Sequence, residues 1–335
     1  MPSNIRVLHF GLGPIGAAIV KQVSARPGFK IVGGVDIDTA KVGRDLGDVV
    51  GLRKRLGVKV SDDAARTLKA TKPDVVVLCT TSSIKKVMPL IDLILKAKTP
   101  IVSSTEELSY PGYTHIRQAR QIHTWAKKAK VAVLGTGVNP GFAMDALPIA
   151  LTAVCERVDR VVINRIQDAR IRRLPFQQKI GAGLTTEQFQ KKVDDGTVRH
   201  VGLTESIAMI ADALGWTLDR ITDNIQPKLA SVTISSEFLA VDPGYVCGII
   251  QDGIGYRKGE PVIRLHMEAY LGAPESFDSV DIEGSPMLSM KMAGGIHGDV
   301  ATASIVVNSI PKVIAAPPGL HTMRDLALPS FFPGT

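Results

Sequence analysis

The residues best suited to chemistry begin with the glycine turn Gly11-Leu12-Gly13-Pro14-Ile15-Gly16, which follows an apolar run from Ile5 to Phe10. The first two glycines let a backbone approach a pyrophosphate closely, and the third lets the next helix sit against its strand. The free N–H groups and the positive dipole end of that helix then face the phosphates. Because a helical pattern starts directly after the turn, the spacing predicts that residues 11–16 bind a dinucleotide.

An acidic residue, Asp36, stands twenty residues after Gly16 and ends a second apolar run, Ile31 to Val35. A carboxylate in this place accepts hydrogen bonds from ribose hydroxyls and repels a 2′-phosphate. The sequence therefore predicts NAD or NADP as cofactor, with NAD preferred. Lys41 and Arg44 follow at once, and two interpretations stay open for them: surface charge, or cations that turn toward a 2′-phosphate.

Small hydroxyl residues, Thr80, Thr81 and Ser82, follow the apolar run Val75 to Cys79. Ligands of open parallel sheets bind at the carboxyl ends of the strands, so these residues are predicted to line the nicotinamide ribose. They also suit the N-terminus of the helix that starts near Ile84, and the two interpretations are compatible. We add Asn139, which follows a later strand, to the predicted cofactor-binding residues.

Two adjacent carboxylates, Glu106 and Glu107, follow the run Ile101 to Ser103. Hydride transfer is the cofactor's chemistry, so the protein must supply the group that moves protons. A glutamate at this strand end would lie near the nicotinamide. Taken alone, such a pair is more often surface or the first turn of a helix.

Metal and disulfide chemistry have no support in the sequence. The candidate histidines between residues 139 and 303 are His200, His266 and His297; no two of them have metal-ligand spacing, and no HExxH pattern occurs in the chain. The three cysteines are far apart and lack CxxC spacing. We therefore predict no catalytic metal and no disulfide framework.

The elements that must position these residues alternate between strands and helices in the first part of the chain. That alternation predicts a Rossmann-type, doubly wound parallel sheet, an α/β fold. A helix is predicted from Tyr113 to Lys130 and a strand from Val131 to Leu134, after which glycines and Pro140 end the sheet.

The pattern changes beyond that point and predicts a second, α+β domain. Strands are expected at 161–166 and 262–271, and helices at 187–193 and 204–214. We predict a dinucleotide-binding domain over residues 1–138 and a substrate and dimerisation domain over 139–303. The C-terminal segment, 304–335, is expected to pack back on the first domain.

The composition and charge of the chain limit the kinds of partner that are expected. The 40 Lys+Arg and 32 Asp+Glu give a net charge of +8, but the basic residues are scattered, so a small anionic ligand is favoured over nucleic acid. No apolar run is long enough to span a bilayer and no signal-peptide pattern is found, so we expect a cytoplasmic protein without a membrane partner. A homodimer is expected from the architecture alone.

Several segments together carry a resemblance to a known family. They are Ser104–Leu108, Gly137–Phe142, Arg165–Ala169, Arg172–Gly183 and His297–Thr302. In these segments the chain resembles the 2,4-diaminopentanoate dehydrogenases and the native amine dehydrogenases, whose N-terminal domain is similar to that of dihydrodipicolinate reductase. The reductase's own His-His pair and Lys-x-x-x-Pro-Ser-Gly-Thr segment are missing, which disfavours dihydrodipicolinate as substrate.

The resemblance implies NAD(P)-dependent, reversible oxidative deamination of an amine to a ketone or aldehyde and ammonia. It implies a catalytic glutamate in the loop after the run Ile101 to Ser103, assigned first to Glu106 with Glu107 in reserve. For the substrate it indicates Phe142, Gln167, Phe176 and Thr302, although the two phenylalanines suit packing nearly as well.

Other functions stay open on the sequence. One is an NAD(P)H-dependent imine or carbonyl reductase, or an amino-acid dehydrogenase. The choice between a simple amine and a substrate with a carboxylate depends on three arginines, Arg165, Arg172 and Arg173. An arginine that faces the substrate would bind a carboxylate. Another is a sensor that binds NAD(P)H without turnover.

Overall fold

A computed structural model describes residues 4–333, which form two compact units. The first contains the chain up to Phe142 and again from His297, and the second runs from Ala143 to Ile296. Elements are numbered along the whole chain. None of the helices within residues 4–333 is long and apolar enough to cross a membrane.

The first unit is built on a seven-stranded sheet in which every strand pair is parallel. Its strands are β1 Ile5–Phe10, β2 Phe29–Val35, β3 Val60–Ser61, β4 Val75–Leu78, β5 Ile101–Ser103, β6 Ala132–Gly135 and β15 Gly319–His321. Its helices are α1 Pro14–Ala25, α2 Leu46–Val49, α3 Ala64–Thr71, α4 Ile84–Lys96, α5 Ile116–Ala129 and α10 Gly298–Ala315. The strand order is β15-β6-β5-β4-β1-β2-β3, which confirms the predicted doubly wound fold.

Apolar strands explain why this sheet is buried on both faces. All four residues of β4 are buried, as expected of a parallel strand between two helical layers. On one face, Leu8 and Phe10 of β1 pack with α3, α4 and α5 in a single core. Helices α1 and α10 pack together and belong to the other face.

The second unit contains a six-stranded sheet in the order β14-β13-β7-β12-β11-β8. Its strands, with a separate two-stranded pair β9 and β10, are β7 Arg157–Asp168, β8 Arg220–Leu229, β9 Ile234–Ser235, β10 Ala240–Val241, β11 Val246–Arg257, β12 Glu260–Tyr270, β13 Phe277–Ser285 and β14 Leu288–Ala293. Its helices are α6 Ala146–Leu151, α7 Leu174–Lys179, α8 Thr186–Asp194 and α9 Leu203–Ala213. Only β7 and β12 pair in parallel; the other neighbours in this sheet are antiparallel.

Helix α9 covers one face of this second sheet. Two glycines of β11, Gly253 and Gly255, lie under Ile207 of α9, and an added Cβ at either would come within 2.8 Å of the Ile207 side chain. Their lack of side chains therefore lets the helix lie close to the strand.

Candidate active site

The predicted cofactor and catalytic residues of the first unit all follow strands that end at one edge of its sheet. They are the turn Gly11–Gly16 after β1, Asp36 after β2, Thr80–Ser82 after β4, Glu106 after β5 and Asn139 beyond β6. These five strands are neighbours, in the order β6-β5-β4-β1-β2. The carboxyl ends of parallel strands are where such sheets bind ligands, so the topology gathers the predicted residues where a dinucleotide would bind.

The glycine turn has the shape that a pyrophosphate requires. Gly11 adopts φ +85°, and a Cβ there would overlap the carbonyl of Cys79, while a Cβ on Gly16 would overlap the carbonyl of Gly11. Gly13 differs, because a Cβ there would meet nothing within 4 Å. Gly13 is also the N-cap of α1, and no side chain caps this helix end. The helix N-terminus therefore opens onto free space, which fits a bound phosphate.

The carboxylate of Asp36 joins β2 to this turn. Its Oδ2 accepts from the backbone N–H of Leu12 at 2.7 Å, and its Oδ1 accepts from that of Asp38 at 2.9 Å. The Nζ of Lys41 lies 3.3 Å from Oδ2. Burial opposes ionisation of Asp36, but these three donors outweigh it and lower the pKa of the carboxyl. Asp36 is thus a fixed anion where the adenosine ribose of a dinucleotide is expected.

Hydroxyl groups connect the loop after β4 to the loop after β5. Thr105 donates from Oγ1 to the carbonyl of Thr81 at 2.8 Å. Ser103 donates to the carbonyl of Leu78 at 2.8 Å and accepts from the N–H of Thr105 at 3.1 Å. Both side chains are buried. No local sequence pattern indicates these roles of Ser103 and Thr105, because their partners lie 25 and 24 residues away, respectively.

Glu107 is held in a structural position. Its Oε2 accepts from the N–H of Ile84 at 2.9 Å, at the first turn of α4, and lies 3.2 Å from Nε2 of His115. Its own N–H donates to the carbonyl of Ser82 at 3.2 Å. Ser83 occupies the N-cap position of α4 but makes no side-chain cap. Glu107 therefore supplies the capping acceptor that sequence patterns assign to Ser83 and its neighbours.

Glu106 begins a 3-10 helix, Glu106–Leu108, directly after the β5 loop. The residue is half-buried, and its Oε2 is shielded from solvent. A Cβ on Gly135 of β6 would overlap the backbone of Leu108, so this glycine allows the short helix to lie against the sheet. The backbone around Glu106 is thus fixed both by β6 and by the loop after β4.

The cap on α4 gives a first test of this arrangement. Glu107→Ala removes the acceptor for Ile84 and should destabilise the protein by about 1 kcal/mol, as loss of a cap usually does. Ser83→Ala is the matched control, because its side chain makes no cap, and its unfolding midpoint in denaturant should match that of the wild type. Equal losses in the two variants would contradict the capping role of Glu107.

The remaining predicted residues of the first unit lie around the turn after β6. Asn139 is buried, and Phe142 is half-buried. The hydroxyl of Thr302, on α10, accepts from the N–H of Val138 at 3.4 Å. Gly137 lies beside this contact, because a Cβ there would be 3.8 Å from the Thr302 methyl group, an ordinary van der Waals distance, and 3.1 Å from the carbonyl oxygen of Pro140. Thr302 is thereby linked to the segment that contains Asn139.

In the second unit the structure brings Gln167 and Phe176 together through Arg172. The Arg172 guanidinium donates to Gln167 Oε1 at 3.0 Å and stacks over the Phe176 ring at 4.0 Å. Gln167 also donates to the carbonyl of Ile296 at 3.2 Å. These contacts fix the orientation of the Gln167 carboxamide.

Arg165 has a different role in the same unit. It is 2% exposed, forms an ion pair with Asp278 and donates to the carbonyl of Ile296 at 2.8 Å. Burial lowers the pKa of the guanidinium, which Asp278 partly counteracts. Asp278 and Ile296 were not predicted, and no local signal indicates partners 113 and 131 residues away.

This chain is similar to known proteins along almost its whole length. Residues 142–334 match the model of the 2,4-diaminopentanoate dehydrogenase C-terminal domain, and residues 5–135 match that of the dihydrodipicolinate reductase N-terminus. A 2,4-diaminopentanoate dehydrogenase from Acetoanaerobium sticklandii is 35% identical over 97% of this chain and 94% of its own. An amine dehydrogenase from Streptomyces virginiae is 25% identical over 97% of this chain and 96% of its own. The solved amine dehydrogenase of Mycobacterium smegmatis superposes with a TM-score of 0.88 at 27% identity, covering 99% of both chains.

The parallel sheet, the open glycine turn and the anionic Asp36 define an NAD(P)-dependent oxidoreductase with a Rossmann domain. The chain belongs to the 2,4-diaminopentanoate dehydrogenase family. It is an enzyme of the amine dehydrogenase class, which acts on CH–NH2 donors, and the resemblance noted in the sequence is confirmed.

Proposed function

We propose that this enzyme catalyses the reversible oxidative deamination of a 2,4-diaminopentanoate-like or simple alkyl amine, with Glu106 as its catalytic acid and base. The observation that carries the proposal is the placement of Glu106 next to the strand ends that hold the predicted cofactor residues. Glu107, its neighbour, is already engaged by Ile84 and His115. Because Glu107 caps α4, we give it a structural role, and we assign proton transfer to Glu106, the glutamate that the family resemblance indicates first.

The chemistry requires one carboxylate at this position. When bound, NAD(P)+ would supply the hydride acceptor, and loss of hydride from the amine carbon would leave an iminium ion on the substrate. Water adds to that carbon, and the carbinolamine expels ammonia to give the carbonyl product. Glu106 offsets the positive charge of the iminium, takes a proton from the attacking water and returns it to the leaving nitrogen. As ammonia departs, the same carboxylate takes the proton of the carbinolamine hydroxyl and passes it to solvent. In reductive amination the same steps run in reverse.

For the substrate, Phe142, Gln167, Phe176 and Thr302 stay the proposed binding residues. The contacts of Arg165 with Asp278 and Ile296 favour a structural role for this arginine. Arg172 is the better candidate for a substrate carboxylate, because it contacts both Gln167 and Phe176. A 2,4-diaminopentanoate-like substrate would use such a contact, whereas a simple alkyl amine would not.

We further propose that NAD is preferred to NADP and that Asp36 is responsible. The carboxylate has a lowered pKa and is therefore ionised at neutral pH. An anion at this place accepts from ribose hydroxyls and repels a 2′-phosphate. Asn139 and the residues Thr80–Ser82 are proposed to contact the nicotinamide half of the cofactor.

A homodimer is proposed through the second sheet, on the face opposite the one that α9 covers. Apolar side chains there are half-buried: Val162, Ile166, Ile250 and Ile254. They surround a charged group in which His266 lies 2.9 Å from Asp252 and 3.1 Å from Glu268. A mixed face of this kind suits a symmetric contact with a second copy.

The proposed dimer is tested by light scattering of the full chain. The measured mass should be twice that of one chain, and the mass of a single chain would refute the proposal.

The function is tested by NADH oxidation with a panel of carbonyl compounds, each with and without ammonium. The panel contains 2-amino-4-oxopentanoate, cyclohexanone, and short aliphatic ketones and aldehydes. We expect oxidation that depends on ammonium, and the best substrate shows whether a carboxylate is recognised. Ammonium-independent oxidation would indicate a carbonyl reductase, and NADH binding without any oxidation would indicate a sensor.

A further inference from the structure

The carboxylate of Asp36 is covered by a lysine at the place where a ribose would bind. Lys41 Nζ lies 3.3 Å from Asp36 Oδ2 and 3.2 Å from Asp38 Oδ2. The side chains of Asp36 and Lys41 are 10% and 26% exposed, so this pair is partly shielded from water. Partial burial makes the attraction stronger than that of a surface ion pair.

The turn after β2 holds Lys41 in this position. Asp38 accepts from the N–H of Ala40 on Oδ1 at 3.0 Å and from the N–H of Lys41 on its carbonyl at 2.8 Å. Two residues later, the N–H of Gly43 donates to the carbonyl of Val60 in β3 at 2.8 Å. The location of the ammonium group is therefore a property of an ordered turn that is anchored to the sheet.

The two groups of the pair stabilise each other's charged form. Burial opposes the charge on Lys41, but its hydrogen bonds and attraction to Asp38 and Asp36 prevail and raise the pKa of the amine. The pKa of Asp36 is lowered in turn. A positive charge thus offsets the anion that would otherwise repel a 2′-phosphate, and this limits the preference for NAD.

We propose that Lys41 limits the discrimination that Asp36 makes against NADP, and that it does so by exchanging its partner. With NAD, Lys41 stays on Asp36, and a ribose hydroxyl donates to the remaining lone pair of that carboxylate. With NADP, the ammonium group leaves Asp36 for the 2′-phosphate, while Asp38 keeps it in the turn. The enzyme then accepts both cofactors. This inference rests on the proposed placement of the adenosine ribose at Asp36.

The test measures binding of NADH and NADPH by fluorescence titration, without substrate, in the full chain. Lys41→Met should raise the Kd of NADPH at least about tenfold and that of NADH less than about threefold, because only NADPH gains a new charge pair. Lys41→Arg keeps the charge and should retain most NADPH affinity. Lys30→Met is the matched control, since Lys30 is an exposed residue near the opposite end of β2, and it should change neither Kd.

Two further readouts separate a direct contact from a structural role. Raising the salt concentration should weaken NADPH binding to the wild type more than to Lys41→Met, because one phosphate contact is missing in the variant. The Asp36→Asn variant should bind NADPH more tightly than the wild type does. Adding Lys41→Met to that variant should raise the Kd of NADPH by a larger factor than the same substitution does in the wild type.

Equal losses for both cofactors in Lys41→Met would show that Lys41 only orders the turn, and an unchanged Kd of NADPH would show that it does not reach the phosphate. Either result overturns the inference while the proposed function stands. If the wild type binds neither cofactor, the proposed placement of the dinucleotide fails with it.

Discussion

Glu106→Gln should lower turnover in both directions by at least about a hundredfold, with the Kd of NADH within about threefold of the wild type. Glutamine keeps the length and one acceptor oxygen of glutamate, but it cannot accept a proton from water or return one to the leaving nitrogen. The cofactor contacts proposed for the glycine turn and Asp36 do not involve this side chain. Steady-state rates and fluorescence titration of the same preparation separate the two effects.

Glu107→Gln is the matched control for that experiment. Its amide oxygen can still accept from the N–H of Ile84, so the cap on α4 survives in part. Turnover in this variant should fall by less than about tenfold. A larger loss in Glu107→Gln than in Glu106→Gln would reverse the assignment of the two glutamates. Loss of NADH binding in Glu106→Gln would instead move this residue to the cofactor site.

The sequence locates this pair of carboxylates but does not separate them. Strand β5 and its polar continuation place both near the carboxyl edge, because the side of a parallel sheet that binds ligands follows from strand direction. The distinction depends on Ile84 and His115, which lie 23 residues before and eight residues after Glu107. A capping acceptor supplied from so far away leaves no local pattern.

In the first unit, most elements could be predicted because each has a clear periodicity. The helix expected from Tyr113 to Lys130 is observed as α5, Ile116–Ala129, and the strand expected from Val131 to Leu134 is β6, Ala132–Gly135. Helix α10 contains a proline, Pro311, and continues past it to Ala315. Proline usually ends a helical pattern, so the last turn of α10 was not expected.

The second unit shows where pattern reasoning fails. Strand β11 contains Gly248, Gly253 and Gly255, and glycines weaken the sequence pattern of a strand. Gly253 and Gly255 are nevertheless needed here, because they let α9 lie close to the strand. Strand β8 is largely polar and contains Pro227, and it lies at the edge of the sheet. Edge strands tolerate proline and polar residues because one of their two sides makes no backbone hydrogen bonds to a neighbouring strand. Both strands were therefore missed, whereas β7 and β12, with regular alternation, were found.

The parallel sheet of the first unit contains a buried histidine, His9. His9 lies in the middle of β1, opposite Gly34 of β2 and Val77 of β4, and is 1% exposed. Within residues 4–333 neither of its ring nitrogens has a hydrogen-bond partner. Burial without a partner disfavours the charged form and lowers the pKa of His9 to about 3. The imidazole is therefore neutral at every pH at which the enzyme would work.

His9 should make the fold sensitive to mild acid. The unfolded chain takes up a proton at this residue near pH 6.5, whereas the folded chain does so only near pH 3, so stability falls as pH drops through 6.5. Between pH 7.5 and pH 5 this difference amounts to about 2 kcal/mol. In His9→Leu and His9→Phe, the drop in unfolding free energy over this range should shrink by that amount, as measured by denaturant titration. Above pH 7.5 the difference between each variant and the wild type should be constant. Curves that run parallel to the wild type down to pH 5 would mean that His9 gains its proton in the folded state as readily as in the unfolded one.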